Sequence, residues 1–271
     1  MVDARQGASN VRSLRELMDL SGRVALITGG AGHIAEAFAE ALAELGAELC
    51  LLDIAEDRLR QRAESLGKMF RRKTTSVVAD ISREDHVQRA VAQLLEQHGG
   101  LDIVVNNAAY PPPDPSSTPD SLAEWDANLR VMLGGTFLVT RACAPALQKS
   151  KGRAIVNVAS HYAIVGPDFR LYEGLDMKNE AFYAAGKGGI VQLTRYYATQ
   201  LAPEVRVNCV APGGVFRDQP EKFVKRYAQR TPMARMGKEE DLKGAIAYLA
   251  SDLSAYVTGQ VLLVDGGFTT W

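Results

Sequence analysis

From residue 23 onward the chain alternates short, continuously apolar runs with longer stretches whose apolar positions recur every three or four residues. Val24-Ala25-Leu26-Ile27 is the first run, unbroken as a strand covered on both faces must be. Further runs at 48–53, 75–80, 101–106, 154–158, 205–210 and 260–264 bring the predicted strands to seven. Helical spacing between them predicts helices over 33–45, 56–66, 83–97, 122–148 and 181–200. The alternation, with short connections and no internal Pro/Gly/Ser linker, predicts an α/β fold: one doubly wound parallel seven-stranded sheet in a single domain over 21–271. Ahead of it, 1–10 reads as a loose polar tail. Residues 11–20 carry Leu14, Leu17, Met18 and Leu20, enough for a short amphipathic helix packed on the domain or on a neighbouring subunit.

Composition narrows the function classes. A hydrophobic content of 46% with 23% charged residues suits a globular protein with a sizeable core. The net charge of −1 implies no general attraction to nucleic acid or anionic membrane. No apolar run reaches the length of a membrane span, and the N-terminus lacks a basic-then-apolar signal pattern. Cys50, Cys143 and Cys209 are widely spaced and form neither a metal-ligand pattern nor a disulfide framework, which fits a reducing compartment. A cytoplasmic protein with no metal is expected.

Three patterns carry chemistry. Gly30-x-Gly32-x-x-Ala35 lies between a predicted strand and a predicted helix, where glycines let backbone N–H groups approach a pyrophosphate at the positive helix terminus. Asp53 ends the second strand, where a carboxylate can accept from a ribose 2′-hydroxyl and would repel a 2′-phosphate. No Arg or Lys stands immediately after it or in the Gly-rich turn, which favours NAD over NADP. Tyr183-Ala184-Ala185-Gly186-Lys187 puts a phenol and an ammonium one helical turn apart on one face. A cation there stabilises the phenolate and brings a group with an ordinary pKa of about 10 into use as an acid/base. Alone, such a pair is more often an ordinary amphipathic helix face.

With these patterns in place, the chain resembles the short-chain dehydrogenases/reductases, compact single-domain proteins of the Rossmann type. The matching pieces are Thr28-Gly29…Gly32, Asp80-Ile81, Asn106-Asn107-Ala108-Ala109, Ser160, Tyr183-x-x-x-Lys187, Pro212-Gly213-Gly214-Val215 and Val264-Asp265-Gly266-Gly267, in family order over about 21–268. The resemblance implies that Gly30, Gly32, His33 and Ile34 line the pyrophosphate turn and that Asp53 and Ile54 hold the adenosine ribose. It implies that Asp80 and Ile81 flank the adenine and that Asn107, Ala108 and Ala109 pass the cofactor riboses. It places Pro212, Gly213 and Val215 at the nicotinamide. It makes Ser160, Tyr183 and Lys187 the catalytic group: Ser160 on the substrate oxygen, Tyr183 as proton donor or acceptor, Lys187 on the Tyr and the nicotinamide ribose. Asn106 reads as a structural strand-end residue. The family commonly forms tetramers through two helices, one of them the Tyr/Lys helix, so a homo-oligomer is implied by analogy.

Three departures stand out. His33 and Ala35 occupy positions where the family usually has Gly, with Gly30-Ala31-Gly32 restoring two close-approach glycines at shifted positions. Met132 stands where the family has an Asn that holds a proton-relay water; a thioether is at best a weak acceptor. Asn128, one turn earlier and about 6 Å along the helix axis, is too distant to take over directly. Ser160 and Tyr183 stand 23 residues apart. That is about ten more than usual in the family, and such extra loops gather where ligands bind. The insertion, 161–180, holds His161, Tyr162, Phe169, Arg170, Tyr172, Glu173, Asp176 and Asn179, which predicts a pocket wall with several hydrogen-bonding groups or else a subunit contact. Tyr110 beside Pro111-Pro112-Pro113, and a charged lid segment from Phe216 with Arg217 near its start, read as further walls; Tyr110, His161, Tyr162, Arg170 and Phe216 are the substrate candidates.

The expected activity is NAD(H)-dependent interconversion of a secondary alcohol and a carbonyl, on a small polar substrate such as a sugar, polyol or hydroxy acid. The alternatives are a sugar-nucleotide epimerase or dehydratase, disfavoured because the chain ends soon after its seventh strand, and a dinucleotide-binding sensor without turnover, for which Met132 speaks. An enoyl reductase is disfavoured because that branch spaces its Tyr and Lys more widely.

Overall fold

The computed structural model describes residues 11–109, 121–150 and 152–271. The predicted Met1–Asn10 tail, Tyr110 and the triple proline lie outside them. Seven parallel strands form one sheet in the order β3-β2-β1-β4-β5-β6-β7. They are β1 Val24–Thr28, β2 Glu48–Asp53, β3 Thr74–Val78, β4 Ile103–Asn106, β5 Ala154–Val158, β6 Arg206–Pro212 and β7 Val261–Val264. β1 and β5 are buried at every position, which is why they read as unbroken apolar runs.

Helices α2 (His33–Glu44), α3 (Glu56–Phe70), α4 (Glu84–His98), α6 (Thr136–Leu147), α7 (Ala181–Gln200) and α9 (Lys243–Ala250) cover the two faces of the sheet. One face packs Phe38, Leu42 and Leu59 with Ile246; the other packs Leu94, Val139 and Leu147 with Tyr197. The short α1 (Leu14–Met18) opens on a Ser13–Glu16 capping box. It docks on the domain through Arg12 to Asp252 at 2.6 Å, with Leu20 fully buried after it.

The long helix predicted over 122–148 is not continuous. α5 (Leu122–Leu129) passes into a π-helical turn, Arg130–Gly135, before α6 begins. A single inserted residue of this kind re-aims the side chains beyond it, and here it seats Met132, 1% exposed, against α7. The 3.6-residue pattern survives on both sides of the turn, so the sequence reads as one helix.

Strand register explains where a site can form. β1 lies between β2 and β4, so the crossovers leave on opposite sides of the sheet at the β1/β4 boundary and open a crevice at the carboxyl edge. Asn106 and Asn157 stand side by side at that edge in β4 and β5. Asn106 donates to Asn157 Oδ1 at 2.8 Å and Thr140 Oγ1 at 3.1 Å, and Asn157 donates to Thr194 Oγ1 at 2.9 Å. This buried polar chain ties α6 to α7 through two strand ends and gives Asn106 the structural role expected of it.

Gly30 shows how tightly α3 and β2 close on the first turn. A β-carbon there would lie 2.8 Å from Leu51 Cβ and 3.2 Å from the Leu52 nitrogen. Gly30→Ala is therefore expected to lower unfolding stability by about 1–3 kcal/mol through overpacking. A urea melt of the variant against the parent checks this; equal midpoints would show that the turn has slack.

Candidate functional site

β1 stops at Thr28, whose buried hydroxyl accepts the amides of Asn107 and Ala108, each at 3.1 Å. Asn107 Nδ2 in turn donates to the Thr28 carbonyl at 3.1 Å, so the turns after β1 and β4 are fastened to one another. Gly29 turns the chain with φ 66°, and Gly32 closes the loop by donating to its carbonyl at 2.9 Å. Gly32 is also the N-cap of the 12-residue α2 and brings no capping side chain. The first-turn N–H groups of that helix are therefore left for an outside acceptor, the arrangement that suits a phosphate. Arg62 braces the turn from α3, donating to the Gly32 carbonyl and pairing with Glu36, both at 3.0 Å.

Asp53, at the end of β2, accepts from the Ala31 amide at 3.1 Å and the Ala55 amide at 3.0 Å. Two of its acceptor directions are thus used in shaping the turns, and two remain for a ligand.

At the other end of the crevice, Ser160 follows β5 and caps a 3-10 turn, His161–Ala163, by accepting from the Tyr162 amide at 3.2 Å. α7 then carries Tyr183 and Lys187 toward the edge of β5. Lys187 is 3% exposed and donates to the Val158 carbonyl at 2.8 Å. Burial lowers its pKa to about 8. Burial raises the pKa of the Tyr183 phenol, against the lowering effects of a hydrogen bond with Ser160 and the nearby Arg217 guanidinium. The Lys187 ammonium lies 5.8 Å from the Tyr183 ring centre. The ammonium is turned to the strand carbonyl, and desolvation is the largest influence on both groups.

The third wall comes from the end of β6 and the turn beyond it. Gly213 donates to the Val264 carbonyl at 2.9 Å, and Gly214 donates to Tyr227 Oη at 2.6 Å. His161, 3% exposed, sits with Nδ1 3.1 Å from the Pro212 carbonyl and 3.5 Å from Ser160 Oγ. Burial lowers its pKa, so the ring is neutral and its Nδ1–H faces an acceptor; this ties the Ser160 turn to the Pro212 turn.

These walls enclose a cleft of about 880 Å³ that runs from the α2 terminus to Tyr183 and beyond. Gly32, His33, Ile34, Asp53, Ile54, Asn107 and Ala109 line one end of it. Ser160, His161, Tyr162, Tyr183, Lys187, Pro212, Gly213 and Val215 line the other. Gly30, Asp80, Ile81, Ala108, Arg170 and Phe216 do not line it. Gly30 is spent on helix–strand packing, and Ile81 is 6% exposed against Gly135. The Asp80 carboxylate accepts from Ser82 at 2.8 Å in the turn before α4. Ala108 gives its amide to Thr28, Arg170 pairs with Asp168 at 2.7 Å, and Phe216 is 45% exposed outside the cleft.

Several lining residues went unread in the sequence. Arg58 enters the Asp53 end from the first turn and a half of α3. Phe223 and Tyr227 of α8 (Glu221–Arg230) line the other end with Met177 and Met236. Their i, i+4 spacing was legible as one apolar helix face, but not which cavity that face meets. Trp271 donates from Nε1 to the Arg230 carbonyl at 3.0 Å. Among the described residues, no helix is long and apolar enough to cross a membrane.

Comparison with known proteins agrees with this geometry. A family model described as enoyl-(acyl carrier protein) reductase matches residues 29–269. A 3-oxoacyl-[acyl-carrier-protein] reductase of Thermotoga maritima is 34% identical, over 92% of this chain and 99% of its own. The glucose 1-dehydrogenase of Gluconobacter oxydans is 35% identical, over 93% of each. The crystal structure of a short-chain type dehydrogenase/reductase from Mycobacterium marinum superposes with a TM-score of 0.83 at 31% identity, over 95% of this chain and 99% of that one. The chain belongs to the short-chain dehydrogenase/reductase family. This short-chain dehydrogenase is thus an oxidoreductase that binds a nicotinamide dinucleotide, and its cleft of about 880 Å³ with an uncapped helix terminus at one end suits such a ligand.

The buried lysine makes a testable demand. Its pKa in the folded protein, about 8, lies below the ordinary 10.5. Between those values the unfolded chain holds the extra proton, so this group's contribution to stability rises with pH. Thermal melts from pH 7.5 to 10.5 are expected to show the parent gaining on Lys187→Met as pH rises; a constant difference would mean that the ammonium is not desolvated.

Proposed function

We propose that this protein is an NAD(H)-dependent dehydrogenase that interconverts a secondary alcohol and its carbonyl, with Ser160, Tyr183 and Lys187 as its catalytic residues. The observation that carries the proposal is the convergence of those three side chains at the end of a cleft whose other end has a helix terminus and Asp53. The dinucleotide, when bound, exchanges a hydride with the carbinol carbon. Ser160 holds the substrate oxygen by donating to it. Tyr183 takes the hydroxyl proton in oxidation and returns it in reduction, and the Ser160 hydrogen bond keeps the phenol oriented. Lys187, anchored on Val158, supplies the positive charge that favours the phenolate as that proton leaves. Gly32, His33 and Ile34 hold the pyrophosphate, Asp53 the adenosine ribose, and Pro212, Gly213 and Val215 the nicotinamide.

NAD is preferred because Asp53 stands where a 2′-phosphate would sit and already engages the turn beneath it. Arg58, at the same end of the cleft, supports a second reading in which a 2′-phosphate is accepted. The sequence also favoured a sugar, polyol or hydroxy acid, and the name of the Gluconobacter relative supports that class. An oligomer, tetrameric by family analogy, and a cytoplasmic location belong to the same reading.

Three experiments test it. Titrations with NADH and NADPH are expected to favour NADH, and Asp53→Asn to move the ratio toward NADPH by at least about tenfold, the value of one buried charge contact; a parent that prefers NADPH would assign the site to Arg58. Tyr183→Phe is expected to lower kcat by about 10²–10⁴ with NADH binding retained, the usual contribution of a positioned acid/base. Met132→Asn separates a weakened proton relay from an intact one: a rise in kcat or a shift in its pH profile is expected, since the thioether packed on Gly186 cannot hold a relay water. An unchanged rate and profile would remove Met132 from the proton path.

A further inference from the structure

The substrate end of the cleft is not the polar wall that the 161–180 insertion suggests. Tyr162, Tyr172, Met177, Phe223, Tyr227 and Met236 line it. They form a separate apolar cluster with Leu171 and Phe268, packed outside both faces of the sheet. The rings touch in series: Tyr172 to Phe223 at 5.3 Å, Phe223 to Tyr227 at 5.9 Å, Tyr227 to Phe268 at 4.9 Å.

The hydroxyl groups that could read a polyol are each partly engaged. Tyr162 Oη and Tyr172 Oη lie 3.0 Å apart and share one hydrogen bond, which leaves one O–H of the pair over. Tyr227 Oη accepts from Gly214 at 2.6 Å. Gln219 spends its amide on Val215 at 2.9 Å and its carbonyl on Arg217 at 2.6 Å. The charged groups of the insertion are drawn elsewhere, Arg170 to Asp168 at 2.7 Å and Lys178 to Glu180 at 2.9 Å. Asn179 Oδ1 and His161 Nε2 are different: both residues line the cleft, and both atoms are buried with no hydrogen-bond partner among the described residues.

An open-chain polyol entering this space would strip water from all of its hydroxyls and find a few scattered partners among aromatic rings and thioethers, which is unfavourable. A flat ring would exchange that water for aromatic faces and thioethers at favourable contact distances. We infer that the substrate is a ring-bearing secondary alcohol, or the corresponding ketone, apolar around the reacting carbon and carrying one further hydrogen-bond donor for Asn179. The inference rests on the dehydrogenase reading above and narrows its substrate class away from sugars and polyols.

The test compares kcat/KM at saturating NAD for 1-indanol, 1-phenylethanol and a hydroxyl-bearing 1-phenylethanol against xylitol, glucose and gluconate. A linear β-hydroxyacyl thioester completes the set, with NADH fluorescence titrated separately. Ring alcohols are expected to exceed polyols and the linear thioester by at least about tenfold each, the discrimination one apolar contact commonly gives. Met177→Gln is expected to erase most of that preference by raising KM for ring substrates while leaving NADH binding unchanged. Tyr172→Phe, which keeps the ring, is expected to preserve it. Asn179→Ala is expected to remove the advantage of the extra hydroxyl and nothing else.

Preferential turnover of a polyol, sugar or linear thioester would overturn the inference and leave the dehydrogenase reading standing. So would NADH binding with no turnover of ring alcohols and no calorimetric binding of the matching ketones to the NADH complex. Failure to bind NADH or NADPH at all would overturn both.

Discussion

Holding an ammonium group inside the protein is the demand on which the site depends. Lys187 is nearly inaccessible, and taking its charge out of water costs several kcal/mol unless a partner of good geometry is supplied. The partner is the carbonyl of Val158, the last residue of β5, at 2.8 Å. That carbonyl is free because β5 ends there and the chain turns away through Ser160. The strand that makes room for the lysine therefore also delivers the serine. Tyr183, one turn before Lys187 on α7, is carried to the same place by helix geometry.

The sheet supplies the rest through its order. Because β1 sits between β2 and β4, the Gly-rich turn, the Asp53 strand end and the Asn107 turn meet at one crevice, although they are distant in sequence. The buried Asn106–Asn157 chain fixes the strand ends on either side of that crevice and locks α6 and α7 to them. Asn106 Nδ2 makes two bonds in this chain, and breaking them would strand buried amide and hydroxyl groups in a low-dielectric interior, so the chain resists sliding of the helix that bears the Tyr and Lys. The neutral His161 performs a similar service across the cleft, binding the Ser160 turn to the Pro212 carbonyl.

Much of this was legible in the residues alone. The strand runs at 48–53 and 154–158 and the helix at 181–200 match β2, β5 and α7 to the residue, because two-sided burial and an uninterrupted helical period leave clear marks. The π-helical turn at Arg130–Gly135 was not legible, since one inserted residue does not break a helical pattern on either side. The local motifs told which residues could approach a cofactor, but not which side of a turn they face. Gly30 and Ile81 went to packing for that reason, whereas Gly32 and Ile54 reached the cleft. The substrate wall was least legible of all. Composition showed Tyr162, Tyr172 and Asn179 as hydrogen-bonding groups, yet the two phenols bond to one another, a pairing set by tertiary packing.

The central claim is that this crevice carries hydride transfer between a nicotinamide dinucleotide and a carbinol carbon. Incubating the protein with NADH deuterated at the transferable position and a ketone substrate, then locating the label by mass spectrometry and NMR, tests it most directly. The account predicts one deuterium on the carbinol carbon of the alcohol product, in a single configuration. An alcohol whose carbinol hydrogen comes from solvent would contradict it, as would no labelled product from a protein that binds NADH.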